Sequence, residues 1–327
     1  MSGFRAYRLF LGQQEQPEGR LVNVDLDDLS AGDVVIRVAY SSVNYKDALV
    51  SKGANRIVRE YPRISGIDLT GTVEESSDPR VAIGDAVIVH GFGIGVDHDG
   101  GHAEYARIPG DWVLPLPSGL SLREAAAIGV AGYTAALSIH LMELNGLRPD
   151  SGKVAVTGAT GGAGSIAIDM LCGAGYSVSA ITGKMAERDY LVALGADEVI
   201  DRASLEFGSK PLEKSRWAGA IDSVGGQMLG WLTRTMQTYG VIASFGNVGG
   251  MELSTTVLPF ILRGVRLIGI IANSPMPLRR EVWGRISREL KPRHLDAITQ
   301  EIGLDDLPQA FNSLLSGQST GRFLLVL

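Results

Sequence analysis

The sequence predicts an α/β protein built on a doubly wound parallel sheet, joined to a second region that is rich in β-strands. From Lys153 onward, short apolar segments alternate with helix-forming segments, which is typical of a parallel sheet covered by helices. Up to about Pro117 the segments are short, β-rich and separated by Gly, Asp and Pro, as in antiparallel sheets and partly open barrels. A glycine-rich run, VTGATGGAGSIA (residues 156–167), stands where the first alternating strand meets the first helix.

The N-terminal region is predicted to contain six short strands and then a long helix. The strands are bounded by turn residues and lie at 4–10, 21–26, 33–43, 68–76, 85–91 and 103–109. The helix covers residues 121–142. Ser121 is its predicted N-cap, and Glu124 three residues later completes a capping box.

The alternating region is predicted to supply six parallel strands, which fits a nucleotide-binding fold. The strands lie at 153–158, 176–182, 197–201, 218–226, 240–246 and 265–271. The helices lie at 162–175, 185–196 and 227–238, and a last long helix lies at 278–290. The tail, residues 321–327, reads as a strand whose pairing partner is expected in the N-terminal region.

The composition indicates a globular chain with a full core and few classes of partner. The 327 residues are 45% hydrophobic and 20% charged, enough for two ordinary domains. A net charge of −6 disfavours nucleic acid, which is bound through clustered Lys and Arg. The single cysteine, Cys172, excludes an intramolecular disulfide and a cysteine zinc cluster. With no signal pattern and no apolar run of ~20 residues, we expect a cytoplasmic protein that does not bind membranes.

The glycine-rich run is predicted to bind the pyrophosphate of a dinucleotide. It places Thr160, Gly161, Gly162, Ala163 and Gly164 between a strand and a helix. Gly161 lets the backbone approach a pyrophosphate, Gly164 lets the helix pack close to the strand, and the helix N-terminus offers N–H groups to the phosphates. The alternative is a structural turn whose glycines only allow tight packing, but the strand–helix context favours the dinucleotide.

The end of the second alternating strand indicates NADPH as the cofactor. NAD sites usually carry an acidic residue there to bind the ribose hydroxyls. This chain has Thr182, Gly183 and Lys184 instead, and Arg202 follows the third strand. A hydroxyl and cations bind a 2′-phosphate that a carboxylate would repel. The alternative is that Lys184 is an ordinary solvated lysine.

Six segments, in this order along the chain, carry a family resemblance: SSVNYKDAL, PRISGIDLTGTV, GGHAEYARIP, VTGATGGAGSIA, LGADEVIDR and PFILRGVRLIGI. They resemble the zinc-free, quinone-oxidoreductase-like branch of the medium-chain dehydrogenase/reductase superfamily, and within it the NADPH-dependent acrylyl-CoA reductases. The resemblance implies a GroES-like catalytic domain formed by residues 1–126 plus 275–327. It also implies a Rossmann NADPH-binding domain at residues 127–274, inserted between those two parts, with the cofactor in the cleft between the domains.

The resemblance also implies that no metal is bound. Zinc-dependent relatives ligate the metal through Cys and His, whereas this chain has Asn44 and Ile67–Asp68 at those places. His90, His98 and His102 are close in sequence but irregularly spaced on a glycine-rich segment, so we expect them to border the active cleft rather than hold a metal. A chain without a metal Lewis acid favours reduction of an already activated C=C bond.

Hydride addition to the β carbon of such an alkene moves charge to the carbonyl oxygen, where hydrogen-bond donors are needed. Tyr45 is the first candidate, because its motif faces the cofactor cleft in similar proteins and its hydroxyl can orient the nicotinamide or donate to substrate. Asn44 and Asp47 are weaker candidates, since either can cap the following helix. Asp68 is expected to accept from a buried N–H group.

Three further positions follow from family position alone, and three arginines follow from the charge of a CoA substrate. Asn247, Ile261 and Ala272 are expected at the floor of the cofactor site. Arg56, Arg59 and Arg63 are candidates for the phosphates of a CoA substrate, although at least two of them are expected to be solvated surface charges.

The expected partners are a small substrate, an enoyl-CoA or a quinone or enone, and a second copy of the chain. The strand at Val265–Ile271 ends the cofactor sheet and is apolar, so pairing with its own copy in a homodimer would protect its edge. The alternative is a monomer in which residues 273–283 cover that edge. Two other functions stay open: a quinone or enone reductase of broader specificity, and a non-catalytic NADPH-binding protein.

Overall fold

A computed structural model describes residues 3–53 and 57–327. The chain divides into two compact units. One, which we call the β unit, comprises Met1–Ala131, Asn273–Arg280 and Leu295–Leu327. The other, the α/β unit, comprises Gly132–Ala272 and Glu281–His294. The α/β unit thus includes part of the predicted last long helix.

The strands and helices follow one another in a mixed order. The strands are β1 (Phe4–Leu11), β2 (Pro17–Val24), β3 (Val34–Val43), β4 (Arg63–Ile64), β5 (Asp68–Ser76), β6 (Ala86–His90), β7 (Tyr105–Ile108), β8 (Leu114–Pro115), β9 (Val154–Thr157), β10 (Val178–Thr182), β11 (Glu198–Asp201), β12 (Trp217–Asp222), β13 (Met236–Ser244), β14 (Arg266–Gly269), β15 (Thr299–Ile302) and β16 (Arg322–Val326). The helices are α1 (Tyr45–Ser51), α2 (Leu122–Leu144), α3 (Gly162–Gly173), α4 (Arg188–Ala193), α5 (Gly226–Thr235), α6 (Leu258–Arg263), α7 (Met276–Ile286), α8 (Leu295–Ile298) and α9 (Leu307–Leu315).

The α/β unit carries a six-stranded sheet in the order β11-β10-β9-β12-β13-β14, with every neighbouring pair parallel. The predicted doubly wound sheet is therefore confirmed. The strand order reverses between β9 and β12, and open α/β sheets bind their ligands at the carboxyl ends of the strands beside such a reversal. The central strands β9, β10 and β12 are buried along their whole length, as expected for a sheet covered on both faces.

The four helices predicted from residue 162 onward are each shorter than expected, and the reason is visible for two of them. The helix predicted at 227–238 ends at Thr235, because Met236 begins β13 and its side chain is fully buried in the core beside Trp231. The helix predicted at 185–196 begins as a single 3₁₀ turn and becomes α-helical only at Arg188. Gly195, with a φ of +106°, follows the end of α4.

The β unit contains two sheets, in agreement with the predicted β-rich region. A three-stranded antiparallel sheet has the order β2-β1-β4. A seven-stranded sheet has the order β15-β16-β3-β5-β6-β8, and β7 also pairs with β3. The second strand begins at Pro17, four residues before its predicted start, because β2 pairs with the whole of β1.

The C-terminal strand pairs where the sequence analysis expected it. In β16, Phe323 pairs with Val43 of β3 in an antiparallel register, and β15 adds a parallel neighbour on the other side. The two ends of the chain therefore share one sheet, which requires the central part of the chain to be inserted between them.

The long helix α2 begins with the predicted capping box. The Ser121 backbone N–H donates to Glu124 Oε2 (2.8 Å), and the Glu124 N–H donates to Ser121 Oγ (3.1 Å). Gly129 interrupts the helix with a φ of +51° and a ψ of −162°. Contrary to our expectation, α2 is long and apolar enough to span a membrane by composition, but 83% of its most apolar window is buried within the protein. Its apolar character is therefore explained by packing in the core.

Candidate functional site

The glycine-rich loop connects β9 to α3, as predicted. Gly158 directly follows β9 with a φ of +60°, a conformation that favours glycine, and a side chain there would collide with Ser223 Oγ. Gly161 is the N-cap of α3 and has extended backbone angles. The N-terminus of α3 therefore lies at the carboxyl end of β9, where helix N–H groups and the helix dipole favour an anion.

Two glycines of this loop differ in the space around them. A Cβ atom on Gly164 would collide with the Gly158 carbonyl oxygen and lie 2.9 Å from the Ala159 Cα atom. A Cβ atom on Gly161 would meet a single described atom within 4 Å, the same carbonyl oxygen at 3.3 Å. Gly164 therefore permits close packing of the helix, whereas the space beside Gly161 is open to a ligand.

The remaining loop residues lie on the same helix N-terminus. Thr160 is buried, and Gly162 and Ala163, the first two residues of α3, are half-buried. The loop thus presents backbone rather than long side chains, as close approach of a pyrophosphate requires.

The four residues predicted to select the cofactor are brought together at the ends of β10 and β11. Thr182 and Asp201 are register partners at those two strand ends. The Arg202 side chain folds over Gly183, since a Cβ atom on Gly183 would lie 3.1 Å from Arg202 Nη2. The Lys184 backbone N–H donates to Thr182 Oγ1 (3.0 Å). Two cations therefore stand at neighbouring strand ends.

The Lys184 ammonium is half-buried, and this burial lowers its pKa. Asp201, the acidic residue of this strand edge, has its Oδ1 atom occupied by the Ala203 backbone N–H (2.9 Å). The cationic character of the edge is consistent with a site for a phosphate group.

The three residues expected at the cofactor floor are placed differently from one another. Asn247 and Ala272 follow β13 and β14, so both lie at the carboxyl edge of the sheet with the glycine-rich loop. Ile261 lies on α6, the helix between β13 and β14, and is 68% exposed.

In the β unit, Tyr45 is the first residue of α1 and its side chain is 38% exposed. Asn44 precedes it as the N-cap, and Asp47 accepts from the Asn44 backbone N–H (2.8 Å) and from the Ile67 N–H (3.0 Å). The capping alternative is therefore confirmed for the Asn44–Asp47 pair. It leaves Tyr45 and Lys46 as the exposed polar side chains of this motif.

Asp68 organises a buried polar cluster beside Asn44. Its Oδ1 accepts from the Ser42 N–H (2.8 Å), and its Oδ2 accepts from Ser42 Oγ (2.5 Å), the Val130 N–H (2.9 Å) and Asn44 Nδ2 (3.2 Å). The expectation that Asp68 accepts from a buried N–H group is confirmed. α2 is interrupted at Gly129, next to the Val130 N–H that donates to Asp68, and a Cβ atom on Gly129 would collide with Ser42 Oγ.

Sequence reasoning missed Arg322, the cation of this cluster. It is the first residue of β16 and is buried, and its Nη2 donates to Asn44 Oδ1 (3.4 Å). Burial lowers the pKa of the Arg322 guanidinium, while the nearby Asp68 and Asp47 raise it. The signal in the sequence is an arginine at the head of the otherwise apolar tail RFLLVL.

The proton on Asp47 is expected to make stability depend on pH. Burial, reinforced by the charge of Asp68, raises the pKa of Asp47 to about 7. An Asp in the unfolded chain has a pKa of ~4. Between about pH 4 and pH 7, the native state therefore holds a proton on Asp47 that the unfolded chain has released. This stabilisation is fully present below about pH 4 and is lost as the pH rises through about 7.

Urea unfolding at pH 5 and pH 8 tests this prediction. From pH 5 to pH 8, the free energy of unfolding of wild type should fall relative to that of Asp47→Asn, which has no carboxyl group at position 47. The exposed Asp27→Asn variant should follow wild type. If the free energies of unfolding of wild type and Asp47→Asn change equally between pH 5 and pH 8, Asp47 is ionised at both pH values and the prediction is wrong.

Two of the three histidines have separate hydrogen-bond partners, and the third ends a strand. His90 ends β6 rather than lying on the loop, and burial lowers its pKa. His98 contacts the Ala31 carbonyl oxygen through Nε2 (3.0 Å), and His102 contacts Ser65 Oγ through Nδ1 (2.8 Å). In residues 3–53 and 57–327, no group of three or more His, Cys, Asp or Glu is arranged to hold a metal ion.

The arginines suggested for CoA phosphates separate into three cases. Arg56 lies outside the described residues, and Arg59 is exposed. Arg63 is neither a surface charge nor a residue of a cleft mouth. It is buried, with Nη1 3.5 Å from Asp99 Oδ1 and donating to Ser30 Oγ (2.9 Å). The expectation was wrong for Arg63, because β4 places it inside the β unit.

Comparison with known proteins agrees with this arrangement. The alcohol dehydrogenase GroES-like domain matches residues 30–118, and the zinc-binding dehydrogenase family matches residues 162–288. The putative quinone oxidoreductase YhfP of Bacillus subtilis is 50% identical over 93% of each chain. The acrylyl-CoA reductase AcuI of Ruegeria pomeroyi is 43% identical over 92% of each chain. The chain belongs to the medium-chain dehydrogenase/reductase superfamily. Within it, these relatives place the chain in the quinone-oxidoreductase-like branch.

Solved structures of this branch superpose on almost the whole chain. The YhdH oxidoreductase of Salmonella enterica, in complex with NADP, has a TM-score of 0.96 and 42% identity, with 99% of each chain covered. Bacillus subtilis YhfP, with NAD bound, has a TM-score of 0.97 and 47% identity, with 100% of each chain covered.

The residues do not fit the zinc ion that one matched family description names. At the family's ligand positions, the Asn44 amide and the Asp68 carboxylate are already bonded to each other and to Ser42. Cys172 lies in the other unit, on α3, where its Sγ donates to the Gly195 carbonyl oxygen (3.1 Å) and burial raises its pKa to about 12. Because the thiolate is the form that binds metals, the raised pKa makes Cys172 a poor ligand.

Proposed function

We propose that this medium-chain reductase uses NADPH to reduce the activated C=C bond of an enoyl thioester, with acrylyl-CoA converted to propanoyl-CoA. The observation that carries the proposal is the strand edge where Lys184 and Arg202 stand beside an open glycine-rich loop. This arrangement suits a dinucleotide with a 2′-phosphate. The acyl substrate is inferred from the relatives named acrylyl-CoA reductase at 43% identity.

In the proposal, the glycine-rich loop and the N-terminus of α3 hold the pyrophosphate. Lys184, Arg202 and Thr182 hold the 2′-phosphate, and Asn247, Ile261 and Ala272 form the floor of the site. When bound, NADPH supplies the hydride for the β carbon of the substrate. The protein's task is then to position the substrate and to stabilise the charge that collects on the thioester oxygen.

We assign that stabilisation to the hydroxyl of Tyr45, an exposed donor of its motif. Asn44 supports it by anchoring the start of α1 to Asp68 and Arg322. A donor aimed at a developing oxyanion is worth on the order of 10²–10³ in rate.

The decisive experiment follows NADPH absorbance with acrylyl-CoA, crotonyl-CoA and a benzoquinone in parallel. The proposal expects acrylyl-CoA to have the highest kcat/KM. Cofactor binding without turnover of any of the three would indicate a non-catalytic NADPH-binding protein.

The second candidate is a quinone or enone reductase of broader specificity. It is favoured by the 50% identity to a protein named putative quinone oxidoreductase. In the same assay, it predicts that the benzoquinone exceeds both thioesters in kcat/KM.

Chelation is expected to leave activity intact. The donor groups at the family's zinc positions are engaged in hydrogen bonds, so the described residues offer no ligand set for this metal. After dialysis against a strong chelator, NADPH-dependent turnover should equal that of the untreated protein. A parallel loss of stoichiometric zinc and activity would contradict this expectation.

We also propose that the protein is a cytoplasmic homodimer and that residues 127–274 form its functional cofactor domain. In the described part of the chain, β14 is hydrogen-bonded to β13 alone, which leaves an edge. The α/β unit also exposes large apolar side chains, including Val257, Ile261 and Ile271. Pairing of β14 with its own copy across a two-fold axis would give the backbone N–H and C=O groups of this edge hydrogen-bond partners. It would also cover apolar surface.

Replacing Leu267 and Ile268 in β14 with lysine is expected to separate the subunits, because charged side chains oppose edge pairing. Sedimentation velocity at micromolar concentration should show a dimer for wild type and a monomer for this double variant. Ile83→Lys, at an exposed position of the β unit, is the control and should stay dimeric. A monomeric wild type would rule out the dimer.

A further inference from the structure

A single carboxylate joins three strand ends of the α/β unit. Asp222 is the last residue of β12 and is fully buried. Its Oδ1 accepts from Thr157 Oγ1 (2.8 Å) and the Val224 N–H (3.3 Å). Its Oδ2 accepts from the Gly225 N–H (2.9 Å) and Ser244 Oγ (3.3 Å). Since Thr157 ends β9 and Ser244 ends β13, Asp222 connects the strands on both sides of its own.

The same hydrogen bonds continue into the glycine-rich loop. The Ser223 N–H donates to Thr157 Oγ1 (3.1 Å), and Ser223 Oγ donates to the Thr157 carbonyl oxygen (2.9 Å). This Ser223 hydroxyl occupies the space that a side chain on Gly158 would need. The first residue of the loop is therefore placed by the residue that follows Asp222.

The connection also reaches the loop after β13. A side chain on Gly246 would collide with the Ser223 carbonyl group, and a Cβ atom on Gly225 would lie 2.7 Å from the Gly246 carbonyl oxygen. Asn247 follows Gly246 directly. The loops that begin after β9, β12 and β13 are therefore packed backbone to backbone around one carboxylate.

The contacts of the Asp222 carboxylate are those of a hydrogen-bond acceptor rather than a donor. All four partners donate to it, which is the pattern of an ionised group. Among the described residues, no Lys, Arg or His forms an ion pair with Asp222, so its charge is supported by hydrogen bonds alone. Burial raises its pKa, and those bonds oppose the rise. An amide in its place would direct an NH₂ group at N–H and O–H donors.

We propose that Asp222 is a positioning residue for the cofactor. It sets the glycine-rich loop through Thr157 and Ser223, and it sets the loop that carries Asn247 through Ser244. The inference rests on the proposed function, since it assumes that a dinucleotide binds at this edge. Loss of the Asp222 carboxylate should therefore weaken NADPH binding more than it slows turnover.

Thr157 offers a matched pair of variants that leaves the carboxylate in place. Thr157→Val keeps the shape but removes the hydroxyl that donates to Asp222 and accepts from Ser223. Thr157→Ser keeps that hydroxyl. A misplaced loop would lose N–H hydrogen bonds to the charged pyrophosphate, and each such bond is worth roughly 10- to 150-fold in affinity. We expect Thr157→Val to raise the Kd for NADPH at least about tenfold, and Thr157→Ser to restore binding to near the wild-type Kd.

A purely structural role is tested with Leu232→Ala, which removes core volume in α5 away from the loops. This variant should lower Tm as Thr157→Val does, yet keep the wild-type Kd for NADPH. Asp222→Asn is expected to raise the Kd at least as much as Thr157→Val. The Kd is measured by NADPH fluorescence without acyl-CoA, and the KM for NADPH should rise more than kcat falls.

The possible results distinguish failure of the positioning role of Asp222 from failure of the proposed function. If wild type binds NADPH and Thr157→Val binds it equally well, the positioning role is overturned while the proposed function stands. If Leu232→Ala weakens binding as much as Thr157→Val at equal Tm, the effect is general destabilisation and the role is overturned. If wild type itself does not bind NADPH, the proposed function fails and this inference fails with it.

Discussion

Replacing Gly161 with valine is expected to abolish NADPH binding while the protein stays folded. The backbone of Gly161, with φ −77° and ψ 166°, suits any residue, and a Cβ atom there meets little of the protein. The isopropyl group would instead fill the space that a pyrophosphate needs at the N-terminus of α3. We expect at least a 100-fold rise in the Kd for NADPH, about 2.8 kcal/mol. The free energy of unfolding should fall by about 1 kcal/mol, because valine is a poor N-cap.

Gly164→Val is the control for this prediction, because its side chain would meet the loop backbone rather than a ligand. A Cβ atom at Gly164 would collide with the Gly158 carbonyl oxygen, so this variant should be destabilised or fail to fold. Isothermal titration with NADPH and thermal unfolding of both variants distinguish the two effects. A Gly161→Val protein that binds NADPH normally would show that the cofactor does not approach this loop.

Replacing Lys184 with alanine is expected to weaken NADPH binding about 10- to 150-fold, the value of a charged hydrogen bond to phosphate. NADH lacks the 2′-phosphate, so its Kd should change by less than about threefold. We expect this selective loss of NADPH affinity because Lys184 and Arg202 lie together at the ends of two neighbouring strands. Arg202→Ala should act in the same direction, since its guanidinium lies over Gly183.

Lys153→Ala is the matched control, since Lys153 is a lysine of the same unit in an exposed ion pair with Glu198 (2.8 Å). It should leave the ratio of the Kd values for NADH and NADPH unchanged. Equal losses of affinity for both cofactors in Lys184→Ala would contradict a role in binding the 2′-phosphate. A wild type that prefers NADH would contradict the cofactor assignment as a whole.

Much of the fold was predictable because its signals are local. The alternation of apolar and helix-forming segments extends over windows of 5 to 20 residues, so the six parallel strands and the helix after the glycine-rich loop were found. The capping box at Ser121 is a four-residue pattern, and it is present as predicted. Short elements such as α6 and β15 were missed, because four to six residues carry too little periodicity.

The sites were predictable only in part. Thr182, Gly183 and Lys184 are adjacent in sequence, and parallel strands bring Arg202 beside them by a general rule of topology. Arg63 was misplaced, because nothing around it in sequence reveals the pairing of β4 with β1 or the contact with Asp99. The buried cluster of Asp68 and Arg322 joins residues whose separation in sequence is too large for any local pattern.

By itself, the sequence determined the two kinds of sheet, the position of the glycine-rich loop and the cationic strand edge that indicates NADPH. Only the tertiary structure decided that Arg322 meets Asn44 across 278 positions and that Asp222 connects the ends of β9 and β13. The physical reason is that propensity and periodicity act between neighbours in the chain. Buried polar groups, by contrast, must find partners wherever the packed core brings donors and acceptors together.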